Sequence, residues 1–157
     1  MNIQIQINEY PLELGEAPDP ARLKASGLKK IGPLRRAMMS LPIIPGDDLY
    51  YATNPVMHIN GSTTHPNFNH SSPASMIYAT VCAAFYNRQQ LRLIMCWVQG
   101  SSMAAERFVK EVRTNSINQI GEPTSKGEPY IWERDGQFFA SEMGTSGSTA
   151  FVHWRRQ

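Results

Sequence analysis

Three histidines, His58, His65 and His70, fall within MHINGSTTHPNFNH, the one clustering of potential metal ligands in the chain. Three imidazoles can hold zinc and leave a fourth position open for a water, so a metal-dependent hydrolase is one reading. The six and four intervening residues cross a proline-containing loop, unlike a helical H-E-x-x-H whose two histidines share a face. No carboxylate lies between them. Ordinary loop histidines, with His58 in a short strand, are the stronger reading; no metal and no cofactor is expected.

Cys82 and Cys96 each sit inside an apolar run. A thiol buried without a positive neighbour stays protonated and behaves as a small core residue rather than a nucleophile. Whether the two can pair depends on register. Tyr86 opposite Leu91 puts them on opposite faces, whereas a shift of one residue brings them face to face. GTSGS at 144–148 carries glycines and hydroxyls but joins two strands, so it reads as a hairpin connection rather than a phosphate cradle. With no nucleophile, base or cofactor constellation to defend, the chain is expected not to be an enzyme.

Lys24, Lys29, Lys30, Arg35 and Arg36, with Arg155 and Arg156 at the far end, form the best nucleic-acid candidate. Few aromatics interleave with the first stretch, and no motif of the RNA-binding sheet modules is present. A solvated helical face is the better account, and a nucleic-acid partner is not expected. The aromatic strand residues Tyr130, Trp132, Phe139, Phe151 and Trp154 raise a different question, because a single helix hides only one face of a sheet. Core packing beneath the N-terminal hairpin and the Pro-rich segment is the stronger explanation. If they form a partner-binding surface instead, Trp132, Phe139, Trp154 and Arg155 are the residues to carry it, with the loop from Asn60 to His70 as a second surface.

These side chains must be positioned by local structure. Asn2 to Ile7 alternates, with Ile3, Ile5 and Ile7 on one side, and leads through a turn at Asn8 to Pro11 into Leu12 and Leu14: an N-terminal hairpin. Asp19-Pro20 supplies an N-cap and a first-turn proline for a short helix that Gly27 stops. A second short helix covers Pro33 to Met39. Between Leu41 and Pro73 lie five prolines and two glycines, predicting mostly loop with short extended pieces at Leu49 to Ala52 and Val56 to Ile59. From Ser75, SMIYATVCAAFY and LRLIMCWVQ flank the polar connection Asn87 to Gln90 as a long hairpin. Apolar residues on both its faces predict a position in the middle of the sheet.

Ser101 or Ser102 caps a helix running to about Ile120, with Ala105, Phe108, Val109, Val112 and Ile120 on one stripe and Gly121 and Pro123 as stops. In YIWERDGQFFASEM, Asp135-Gly136 has the chemistry of a two-residue type I′ turn. A tight turn there sets Trp132 across from Phe139 and Tyr130 across from Ser141, with Ile131, Phe138, Ala140, Glu133 and Glu142 on the other face. TAFVHWRR adds a last strand. The order is an N-terminal hairpin followed by ββ-α-βββ, which predicts an α+β fold: a mostly antiparallel sheet with one main helix packed on a face.

At 157 residues, 41% apolar and 18% charged, the chain is long enough and apolar enough to bury a core, and one domain over 1–157 is expected. Its 15 basic and 13 acidic residues leave a charge of +2, too even for a broad basic face. The N-terminus lacks a basic start and an apolar run, and no stretch approaches about 18 apolar residues, so a cytoplasmic address and no membrane partner are expected. These features together favour a small bacterial protein-binding domain, above all an immunity-type inhibitor that neutralises a cognate toxin by direct binding. A secretion chaperone or adaptor and a nucleic-acid-binding protein rank lower, as does the histidine-based hydrolase; self-association is left open.

Overall fold

The computed structural model of the chain describes residues 1–39, 41, 47–64 and 78–157. Alternation starts the fold: Ile3, Ile5 and Ile7 are buried while Asn2, Gln4 and Gln6 are exposed. Strand β1 (Ile5–Ile7) pairs with β2 (Tyr10–Leu12) across Asn8 and Glu9, both at positive φ, as a two-residue hairpin turn requires. Helix α1 (Pro20–Ala25) begins where the Asp19 carboxylate accepts the Arg22 amide at 3.2 Å, with proline in its first turn. It is followed by β3 (Lys29–Ile31), a strand that no alternation announces, and by α2 (Pro33–Met38).

The segment expected to be mostly loop holds three strands among its described residues. They are β4 (Asp47–Thr53), β5 (Met57–Ile59) and β6 (Ser62–Thr64), the last two joined by the tight turn Asn60-Gly61. The long hairpin is β7 (Tyr78–Asn87) and β8 (Gln90–Gly100), turning at Arg88 and Gln89. Helix α3 (Ser102–Ile120) starts at Ser101, whose hydroxyl accepts the Ala104 amide at 3.1 Å, and ends at Gly121, φ +89°. The chain closes with β9 (Ser125–Lys126), β10 (Tyr130–Arg134), β11 (Gln137–Met143) and β12 (Thr149–Arg156).

Among the described residues these strands form two antiparallel sheets, one of order β2-β1-β5-β6 and one of order β3-β4-β7-β8-β12-β11-β10-β9. The fold is α+β with one main helix, and β7 and β8 lie inside the larger sheet as their two apolar faces require. The N-terminal hairpin does not join that sheet; it pairs with β5 and β6 instead. The small sheet and α3 lie over the same face of the large one. A continuous core joins Ile5, Ile7, Met57 and Ile59 to Phe108, Val109 and Val112 and to Cys82, Ile94, Val98, Val152 and Trp132. Each large side chain buried there contributes about 1.5–3 kcal/mol.

Polar contacts fix the helix in place. Arg113 donates from Nη2 to the Ser141 carbonyl at 3.0 Å and to Glu128 Oε1 at 2.6 Å, with its guanidinium 4.1 Å above the Tyr130 ring. No helix among the described residues is long and apolar enough to cross a membrane.

Candidate functional site

Strand register decides which aromatic residues face the core. Trp132 stands opposite Phe139, and Phe139 opposite Trp154, so the three share one face of the large sheet. That face is the one covered by α3 and the small sheet. Trp132 and Phe139 are 0% exposed and Trp154 is 5% exposed. Their indole groups are satisfied internally: Trp132 Nε1 donates to the Gly121 carbonyl at 2.8 Å, and Trp154 Nε1 to Gln137 Oε1 at 2.9 Å. Arg155, one residue along, points the other way and is exposed, its guanidinium 4.6 Å from the Phe138 ring centre. The four residues singled out for partner binding are thus divided between two faces.

The second face carries its own aromatic set. Across neighbouring strands Lys29 pairs with Tyr51, Tyr51 with Ala83, Ala83 with Met95, Met95 with His153, and His153 with Ala140. The adjacent row runs from Val81 through Trp97 and Phe151 to Glu142. Tyr51, Met95, Trp97, Phe151 and His153 are only partly buried. The Tyr51 and Trp97 rings lie 6.2 Å apart, and the Phe151 and His153 rings 6.2 Å apart edge to face.

At the β3–β4–β7 end of this face, Ile31, Leu41, Leu49 and Phe85 form a small second cluster. Leu34 and Met38, one turn apart on the neighbouring α2, are each 78% exposed. Comparison with protein-family models, curated proteins and solved structures found no match to this chain.

Two ionisable groups on the second face have unusual surroundings. His153 Nε2 lies 3.7 Å from Glu142 Oε1, too far for a hydrogen bond, and makes none among the described residues. Burial holds the imidazole below its ordinary range; Glu142 opposes that and Arg155 adds to it. A lowered folded pKa means that the unfolded chain takes up the proton first. The stability associated with neutral His153 is therefore complete above the unfolded value of about 6.5 and declines as pH falls through it. We expect urea midpoints to drop between about pH 7 and about pH 5.5, with His153→Gln showing a shallower drop. An equal drop in both proteins would place the titrating group elsewhere.

Arg36 is the second case. It is 4% exposed rather than part of a solvated helical face, and its guanidinium carbon lies 5.9 Å from the Phe85 ring centre. Nη1 donates to the Asp47 carbonyl at 2.8 Å, while Nε and Nη2 have no hydrogen-bond partner among the described residues. Burial also raises the Asp47 carboxyl above its ordinary range.

The other candidates separate. Of the histidine trio only His58 is described, on β5 with Nδ1 2.9 Å from Thr63 Oγ1; His65 and His70 lie outside the described residues. Among the described residues no three of His, Cys, Asp and Glu gather as metal ligands. The proposed second surface begins at Asn60, which is 2% exposed, and Ser62 and Thr64 are buried as well; 65–70 lie outside the described residues.

The basic residues do not converge. Lys29 and Lys30 are on β3, with Lys30 3.4 Å from Asp48, and Arg155 and Arg156 are on β12, four strand spacings or about 19 Å away across the sheet. Residues 144–148 form a strand connection, closed by the Gly144 amide donating to the Thr149 carbonyl at 2.6 Å.

Tyr51, Met95, Trp97 and His153 were not among the sequence candidates, whereas Phe151 was one of the aromatic strand residues weighed there. The signal for them was present in LRLIMCWVQ and TAFVHW, where every second residue repeats an apolar stripe that the core face does not use. The central hairpin was read as covered on both faces, and on this face Ala83 and Phe85 are fully buried, with Leu93, Met95 and Trp97 packed against their cluster and only partly buried.

Proposed function

We propose that this chain is a protein-binding domain that acts in the cytoplasm as an immunity-type inhibitor, docking a cognate toxin through the second face of its large sheet. The observation that supports this most is the contiguous set Tyr51, Met95, Trp97, Phe151 and His153, left partly exposed on a rigid eight-stranded sheet with Arg155 and Glu142 beside it. Aromatic, Met and Arg side chains are the types enriched at the energetic centres of protein interfaces. Strand pairing sets their backbone positions in a fixed array, so little backbone ordering entropy remains to be lost on binding. The near balance of charge gives no long-range steering, so affinity here rests on slow dissociation from an apolar contact.

The test begins with a tagged chain recovered from its host with the protein that binds it, followed by the activity of that purified protein with and without the chain. Inhibition at one-to-one stoichiometry is expected. Trp97→Ala with Phe151→Ala should weaken the complex by about 30-fold or more, the loss associated with hot-spot aromatics, while circular dichroism stays unchanged. Full inhibition by a folded double variant would move the interface off this face. A bound partner whose activity is unaffected would remove the inhibitor reading.

A further inference from the structure

Cys82 and Cys96 are direct cross-strand partners on β7 and β8, with Sγ atoms 3.7 Å apart and both side chains 0% exposed. The pairing arises from an irregularity in the ladder. Near the turn Tyr86 stands opposite Leu91, a register that would put the two cysteines on opposite faces. A bulge between Phe85 and Tyr86 then resets the pairing to Phe85 with Leu93, and every pair beyond it, including Cys82 with Cys96, follows the new register.

Directly opposed residues in an antiparallel ladder have Cα atoms about 4.5–5.5 Å apart, inside the range of about 4.4–6.8 Å that a disulfide spans. The two side chains leave the sheet on the same face. The gap to close runs from 3.7 Å to a bond of about 2.05 Å, between directly paired positions whose usual Cα spacing a disulfide spans.

We propose that Cys82 and Cys96 are an oxidative modification site: in the presence of a low-molecular-weight organic disulfide they form an intramolecular bridge that locks β7 to β8. One cysteine thiolate attacks the organic disulfide, forming a mixed disulfide and releasing one thiol. The second cysteine thiolate attacks the protein sulfur of that mixed disulfide and releases the other thiol. The chain loses two electrons and two protons, and the organic disulfide is reduced to two thiols. The hydrogen bond between the sulfurs and their burial hold the Cys82 thiol well above its ordinary range, so the reaction proceeds through transient opening of the core or during folding. The bridge would close a loop through the turn at Arg88 and Gln89 and fix the register that the bulge sets.

The full chain, refolded from denaturant in excess oxidised over reduced glutathione, tests this, with a reduced chain refolded in parallel. After quenching with iodoacetamide, intact mass should show the loss of two hydrogen atoms and no alkyl groups, with the same near-ultraviolet circular dichroism as the reduced chain. The thermal midpoint should rise by about 6–12 °C and return on reduction, as expected for a loop of this length. Cys82→Ser and Cys96→Ser should each show no bridge. A natively folded chain with both thiols alkylated would overturn the proposal. So would a bridged chain that fails to regain the native spectrum while the reduced one does.

Discussion

Trp132→Ala is expected to cost about 3–5 kcal/mol of stability, seen as a large fall in the urea midpoint at unchanged slope. Two losses combine. The indole is fully buried against Phe139, ring centres 5.5 Å apart, so its removal leaves a cavity that α3 and the strands cannot fill. The Gly121 carbonyl, at the end of α3, also loses the donor 2.8 Å away. Trp97→Ala is the control, because Trp97 is only partly buried on the opposite face and its loss should cost roughly 1 kcal/mol. The two substitutions remove the same side chain and differ in the face that lost it. Similar midpoints for both would contradict the division of the sheet into a face buried under α3 and the small sheet and a face on which Trp97 is only partly buried.

That division follows from parity, and parity is where the sequence was most legible. Asp135-Gly136 predicts the turn, the turn predicts Trp132 opposite Phe139, and the structure has both. The Ser101 cap and Gly121 stop bracket α3 for the same reason: short-range chemistry and periodicity agree there. What parity alone does not say is which face a second layer will choose. The N-terminal hairpin was expected to cover the face opposite the helix, whereas it joins β5 and β6 and lies on the helix side. That choice depends on pairing between β1 and β5, some fifty residues apart, and no local pattern encodes it.

The β5–β6 hairpin was legible in principle. Asn60-Gly61 between MHI and STT is a strong hairpin signal, but the surrounding prolines and polar residues led to an extended piece at Val56 to Ile59 followed by loop, so that β6 was missed. The cysteine pairing was left open by the sequence for a different reason: a single bulge decides it, and its extra residue, Arg92 between Leu91 and Leu93, has no distinguishing composition.

Asn60 is where that overlooked hairpin is fastened to the rest of the molecule, and Asn60→Ala should cost about 2–4 kcal/mol. Its backbone sits at φ +48°, which asparagine tolerates and alanine does not. Its side chain bridges two layers: Oδ1 accepts the Gln4 amide at 2.9 Å, and Nδ2 donates to Ser116 Oγ on α3 at 2.9 Å. Alanine would strain the turn and leave the buried Ser116 hydroxyl and the part-buried Gln4 amide without these bonds. Asn60→Gly separates the two effects, since glycine keeps the left-handed turn and loses only the side chain.

If the contact to Ser116 fastens the small sheet to the helix, a double-mutant cycle between Asn60→Gly and Ser116→Ala should give a coupling energy of about 1 kcal/mol. Coupling near zero would mean that this bond does not hold the small sheet on α3. The neighbouring bond from Asn115 Nδ2 to Ser62 Oγ, 2.8 Å, would then be the polar link to test next. A measurable coupling would instead make this polar seam the element that selects the helix side for the N-terminal hairpin.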